Sequence, residues 1–253
     1  MENVVLSLMA HPDDAEILCG GTLALLRSLG WAVHIATATP GDCGTATLGP
    51  DEISTIRRRE AAAAAAVLGG RYHCLERRDL RVHYDDGTLR DACGLIRQVR
   101  PRIVITHSPV DYMIDHEQAS LIARAATFAA PVPNAPVPAG ARPPCDAVPH
   151  LYYADPVEGK DNLGCDVKPS LLVDIGSVLE TKLQMLAEHA SQREWLRKHH
   201  GMDEYLESVR RWARERGHLA GCEYAEGFRQ HRGHGYPQDD LLGSTLGGKV
   251  RPA

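Results

Sequence analysis

The chain has 253 residues, 43% apolar and 24% charged, with a formal net charge of −5. This is the balance of an ordinary globular protein with enough chain for a sizeable core, and it gives no reason to expect nucleic acid as a partner. No apolar run approaches the roughly 18 residues of a membrane span, and no signal peptide precedes the first apolar run. The seven cysteines are scattered, with no C-x-x-C pair, which points to reduced thiols in a cytoplasmic protein.

Val4 to Ala10 is a near-continuous apolar run, the mark of a strand buried on both faces of a parallel sheet. The run stops at Pro12 and presents His11, Asp13 and Asp14 within four positions. A helical pattern follows through Leu23, Leu25, Leu26 and Leu29. A second strand is expected over 32–38, then a Gly- and Thr-rich loop from Asp42 to Pro50. The helix expected over 51–68 carries Arg57, Arg58, Arg59, Glu60 and six alanines, and stops at Gly69-Gly70. Next come a strand over 72–75, a helix over 89–99 and a strand over 103–106 leading into His107.

A helix is expected over 115–129, and residues 131–149 read as a Pro- and Ala-rich loop, either mobile or a substrate-facing lid. Strands near 151–153 and 171–173 follow. One later helix carries Leu179, Leu183, Leu186 and Ala190; another carries Met202, Tyr205, Leu206, Val209 and Trp212. The alternation predicts a single α/β domain over 1–232, Rossmann-like, with a mostly parallel sheet and helices on both faces. Residues 233–253 read as an irregular C-terminal tail.

Ligands of open α/β sheets gather beyond the carboxyl ends of the strands. One imidazole and two carboxylates at such an edge are candidates for binding a cation and moving a proton. Ala10-His11-Pro12-Asp13-Asp14 resembles the AHPDD signature of the PIG-L (LmbE-like) family of metal-dependent N-deacetylases. The block from His107 to His116 resembles that family's second motif, an Asp-His pair preceding a helix. The likeness continues in order through Arg57-x-x-Glu60, Asp79, Val173-Asp174-Ile175, Lys182, the segment from His189 to Gln192 and that from Tyr224 to Arg229.

The resemblance implies zinc held by His11, Asp14 and His116, with Asp13 as general base and Asp115 supporting a neighbouring group. It implies Arg57 and Asp79 at a hydroxylated substrate, beside Tyr112 and Met113. The implied reaction removes the N-acetyl group of an amino sugar or glycoconjugate, in a protein that could assemble as a trimer or hexamer. These residue types suit the chemistry. Two imidazoles and a carboxylate leave an open position on a divalent ion, and a separate carboxylate can move the proton. The same trio also describes an Fe2+ site, though such sites usually sit in β-barrels. Met113 stands where many family members have a histidine, and methionine cannot donate to an oxyanion. That task falls to the metal alone, to His107 or to Tyr112.

Plainer roles exist for the same residues. Asp13, Asp14 and Asp115 could cap helices. Arg57 could lie on a solvated face, and Asp79 has Arg77, Arg78 and Arg81 as surface partners. His189 and Gln192 fit a helix end, and His199, His200, His231 and His234 fit the surface. An amidase on a larger N-acyl or thiol-conjugate substrate, or a metal-binding protein without turnover, would use the same site. Dinucleotide binding is a poor fit, because His-Pro-Asp-Asp replaces the glycine-rich turn and its carboxylates would repel a pyrophosphate.

Overall fold

The computed structural model describes residues 2–193 and 204–252; Met202, His199 and His200 lie outside them. Strands β1 (Val4–Met9), β2 (Ala32–Thr37), β3 (Arg71–Cys74), β4 (Ile103–Thr106) and β5 (His150–Ala154) pair in parallel. Strands β6 (Leu171–Asp174), β7 (Ala225–Gln230) and β8 (Val250–Pro252) add antiparallel pairs. The sheet order is β3-β2-β1-β4-β5-β7-β6-β8. The chain moves outward from β1 through β2 to β3, then crosses back to place β4 on the other side of β1. The crevice between β1 and β4 is therefore the topological switch point, where an open α/β sheet binds its ligands.

The unbroken apolar run of β1 has its reason in this position. Val5 and Met9 face a core built with helices α1 (Asp14–Ser28), α2 (Pro50–Val67), α5 (Leu179–Ala187), α6 (Glu204–Ala220) and α7 (Leu241–Leu246). Val4, Leu6 and Leu8 face α3 (Asp86–Val99) and α4 (Ile114–Ala129) on the opposite side. Helix α2 is built from alanines, the strongest helix formers, with Pro50 in its first turn and Gly69 beyond its end at φ 60°. Among the described residues, no helix is long and apolar enough to cross a membrane.

Three expectations need correction. β7 and β8 lay outside the expected strands, and the segment from residue 233, expected to be irregular, contains α7 and the edge strand β8. The loop over 131–149 does not lie over the crevice. It packs on α3, where Pro138 sits against Gly94 and Arg97 donates to the carbonyls of Ala130 and Val132. His189, for which a helix-end cap was one of two readings, is fully buried, 3.5 Å from Glu16.

β7 is anchored by charge rather than by apolar packing alone. The buried Glu226 carboxylate accepts hydrogen bonds from Gly21 N (2.8 Å), Thr22 N (2.7 Å) and Thr22 Oγ1 (2.7 Å) of α1. Lys182 of α5, equally buried, donates to Glu226 (2.5 Å) and to the carbonyl of Ile17 (2.8 Å). Gly21 must be glycine, since a Cβ there would fall 2.7 Å from Ile175. Removing one partner of such a pair strands the other charge and costs about 3–5 kcal/mol. Glu226→Ala leaves Lys182 with one carbonyl, whereas Lys182→Met leaves Glu226 with its three donors. In urea unfolding, Glu226→Ala should therefore lose about 3–5 kcal/mol, and Lys182→Met should lose measurably less; equal losses would contradict this assignment.

Candidate active site

Both clusters singled out in the sequence stand at the carboxyl edge of the switch point. His11, Asp13 and Asp14 follow β1, and the segment from His107 to His116 follows β4. His11, Asp14 and His116 each offer one donor atom, all within 4.8 Å of one another, and all three side chains are buried. They line a cavity of about 290 Å³, open to solvent, together with Asp13, Arg57, Asp79, Tyr112 and Met113.

Asp14 is the hub. Its Oδ2 accepts the backbone N–H of His11 at 2.7 Å and lies 3.1 Å from His107 Nε2, and its Oδ1 lies 3.5 Å from His116 Nε2. Burial alone would raise its carboxyl, but His116 and His107 outweigh that and hold it well below the usual range. His11 also faces Asp115 (3.2 Å) and Asp79 (3.9 Å). Burial lowers the His11 imidazole, yet the bonds to Asp115 and Asp14 override it and lift it to about 10. The surroundings thus favour positive charge at this point, which fits the donor chemistry of a divalent cation.

Behind His116, Asp111 Oδ1 lies 2.9 Å from Nδ1. A carboxylate there keeps the proton on Nδ1 and leaves Nε2 free to face Asp14, the usual arrangement around a metal-binding imidazole. Two other groups of donors are close together. His107 and Asp111 form one with His116, but His107 accepts from Ala10 N at 3.0 Å and neither lines the cavity. Asp42, Cys43 and Asp79 form the other. There Asp42 accepts from Asp79 N and Asp79 from Cys43 N, both at 2.8 Å, a brace between two loops.

The carboxylates are not used as helix caps. Asp13 occupies the N-cap position of α1 with φ 100°, a strained conformation for a non-glycine residue, and its side chain makes no capping bond. Instead it lies 2.7 Å from the hydroxyl of Tyr205, which donates to it, and 3.5 Å from Arg57 Nη2. Burial pushes the Asp13 carboxyl up, with Arg57 opposing. Asp115 accepts Leu80 N at 2.6 Å as well as facing His11.

The three arginines of α2 have three different fates. Arg57 is 4% exposed and donates to the Pro12 carbonyl at 2.5 Å, so the solvated face does not describe it. Arg58 pairs with Glu76, and Arg59 is exposed. Gly41, at φ 80°, lies over the Arg57 guanidinium, where a Cβ would approach within 2.4 Å. Glu60 accepts from Ser191 N (2.8 Å) and Oγ (2.6 Å), which ties α2 to the segment before residue 194. Tyr112 stands edge-on to His116, with ring centroids 5.4 Å apart, and Met113 lines the cavity wall.

Two residues of this site were not singled out. Asp111 was legible in principle, five positions before His116 on the same loop. Tyr205 was not, because 192 positions separate it from Asp13 and its spacing marks only a buried helix face. Divalent-cation binding should weaken by about 10–100-fold in Asp111→Asn, measured by competition with a chromogenic chelator. Unchanged affinity would exclude a role for Asp111 in cation binding through His116.

Residues 6–127 match the family described as PIG-L, GlcNAc-PI de-N-acetylase. The diacetylchitobiose deacetylase of Thermococcus kodakarensis is 29% identical over 240 residues, 89% of this chain and 82% of that protein. The solved structure of the N,N'-diacetylchitobiose deacetylase of Pyrococcus horikoshii superposes with a TM-score of 0.77 at 27% identity, covering 94% of this chain and 88% of that one. The 4-carboxy-2-hydroxymuconate hydratase of Pseudomonas putida superposes with a TM-score of 0.78 at 25% identity, covering 94% and 99%. Deacetylation of N-acetylated sugars and hydration of an unsaturated acid thus both occur among proteins similar to this one.

Proposed function

We propose that the chain belongs to the PIG-L family, whose model matches residues 6–127, and that it is a zinc-dependent hydrolase removing the N-acetyl group of an amino sugar or glycoconjugate. The observation that carries the proposal is the convergence of His11, Asp14 and His116 at one point of the cavity, with a separate carboxylate, Asp13, beside it. A divalent cation bound by the three would polarise the amide carbonyl and lower the pKa of water from 15.7 towards ~7.

The rest is work for the chain's own groups. Asp13 takes a proton from the attacking water and delivers it to the amine nitrogen as the C–N bond breaks, releasing acetate and the free amine. A carboxyl raised by burial suits that double task. The Tyr205 hydroxyl and Arg57 hold Asp13 in place, and Asp115 and Asp111 orient His11 and His116. Met113 offers no donor to the developing oxyanion. Of the two nearby candidates, His107 is fully buried with Nε2 engaged at Ala10 N, whereas Tyr112 lines the cavity; the Tyr112 hydroxyl is the donor we assign. Arg57 and Asp79 would bound a hydroxylated substrate.

The likeness to a hydratase favours a second reading, water addition to an unsaturated acid at the same centre. The deacetylases of Thermococcus kodakarensis and Pyrococcus horikoshii, alike in sequence at 29% and 27% identity, favour the first reading.

Asp13→Asn should lower amine release from N-acetylglucosamine glycosides by about 10²–10⁴-fold while zinc content stays at one per chain. Retained activity would remove Asp13 from the role of base. Tyr112→Phe should lower kcat by about 10²-fold with KM little changed, as loss of one oxyanion donor does. A conjugated unsaturated dicarboxylate assayed in parallel separates the two readings: turnover of it, without amine release from the sugars, would favour the hydratase.

A further inference from the structure

The loop that joins β4 to α4 is fastened to its own helix at both ends. Ser120 Oγ of α4 donates to the carbonyl of His107 at 2.8 Å, and Glu117 of α4 accepts from Asp111 N at 3.1 Å. Between these anchors Pro109 and Val110 are exposed, and Tyr112 beyond them is 60% exposed. One hydroxyl gathers this middle stretch. Ser108 Oγ donates to the carbonyl of Val110 at 2.6 Å and accepts from Val110 N at 3.2 Å. Those two bonds close a turn but tie it to nothing outside the loop.

The outside tie comes from β7. Arg229 Nη2 donates to the same Ser108 hydroxyl at 2.7 Å, across 121 positions of sequence. In the sheet, β7 stands two strands from β4, with β5 between, and Arg229 lies opposite Tyr153 of β5. A guanidinium needs a reason to be here. Burial works against its charge, and its Nε finds no partner. The nearby carboxylate, Asp155 at the end of β5, is taken by Arg216, whose Nε donates to it at 2.8 Å. The Arg229 guanidinium therefore spends its hydrogen bond on Ser108, and a planar donor on a long side chain anchored in a strand suits the fixing of one oxygen in place.

Resting on the deacetylase reading and on Tyr112 as oxyanion donor, we propose that Arg229 is a positioning residue for that donor. Through Ser108 it fixes the turn over 108–110, and with it the point from which Tyr112 reaches the cavity. Asp111 and His116 do not depend on it, because Glu117 and α4 hold them. Without Arg229 the cation and the substrate bind as before, and the donor loses its aim. The loss falls on the transition state and so on kcat, where a misplacement of about 1 Å can cost up to about 10²-fold.

The test uses the full chain loaded with zinc, with amine release from the methyl glycoside of N-acetylglucosamine as the readout. Arg229→Ala and Ser108→Ala should each lower kcat by about tenfold or more, with KM within about twofold. Combined, they should lose no more than the larger single loss, since both break one bond. On a Tyr112→Phe background, Arg229→Ala should change kcat by less than about twofold, because the donor it aims is gone. Competition with a chromogenic chelator should give Arg229→Ala the zinc affinity of the unaltered chain, which a general loosening of the site would not. If Arg229→Ala does not fold, Ser108→Ala carries the same cycle from the other end of the bond. Full kcat in the two single variants, or losses that multiply with that of Tyr112→Phe, would overturn the proposal and leave the deacetylase reading standing. Zinc affinity falling in step with kcat would also overturn it, assigning Arg229 to the scaffold. Full kcat in Tyr112→Phe would remove the donor and this proposal with it. No amine release from the unaltered chain would sink the deacetylase reading and this proposal together.

Discussion

The structure turns on one buried carboxylate. Asp14 lies among three imidazoles and accepts the backbone N–H of His11, in a place where an unpaired charge would cost several kcal/mol. Its position is available only because β1 ends where α1 begins, and because β4 brings His107 and His116 to the same edge. The strain at Asp13, φ 100°, is the cost of turning the chain sharply enough to aim both carboxylates away from capping roles. Two of these imidazoles are in turn held by further carboxylates: His116 by Asp111, and His11 by Asp115, itself held by the backbone of Leu80.

That layering separates the proposed metal-binding groups from the proposed base. Asp13 and Asp14 are adjacent in sequence but face different partners. Asp14 faces imidazoles; Asp13 faces the hydroxyl of Tyr205 and the guanidinium of Arg57. Two neighbouring carboxylates would otherwise compete for one proton or one cation. Opposed environments push their carboxyls in opposite directions, Asp14 down and Asp13 up, as a division of labour between cation binding and proton transfer requires.

The parallel half of the fold was legible because its signals are local. The apolar run of β1, the alanines and terminal glycines of α2, and the short apolar runs of β2 and β4 each mark an element without knowledge of the rest. Of the antiparallel half only β6, expected near 171–173, was legible. β7 carries Glu226, Gly227 and Arg229, a pattern that reads as loop until its partners are known. Glu226 is satisfied by Lys182 and by α1, some 200 positions away, and Gly227 leaves room for Asp155, which a Cβ would meet at 2.1 Å. β8 has three residues and depends on β6 for definition. In the site, the residues of both motifs were legible from type and spacing, and the structure brings His11, Asp13, Asp14, Tyr112, Met113 and His116 to one cavity. Tyr205 was hidden for the same reason as β7: its role depends on a partner that spacing cannot reveal. The buried Arg57 was obscured by two arginines beside it that go elsewhere.

The most direct test of the central claim is a metal titration of the chelator-stripped protein, with amine release from an N-acetylglucosamine glycoside as the readout. The account predicts no release without metal, activity rising to a break at one equivalent of zinc per chain, and neither zinc retention nor activity in His116→Ala. Activity indifferent to chelation, or zinc retained undiminished in His116→Ala, would contradict it.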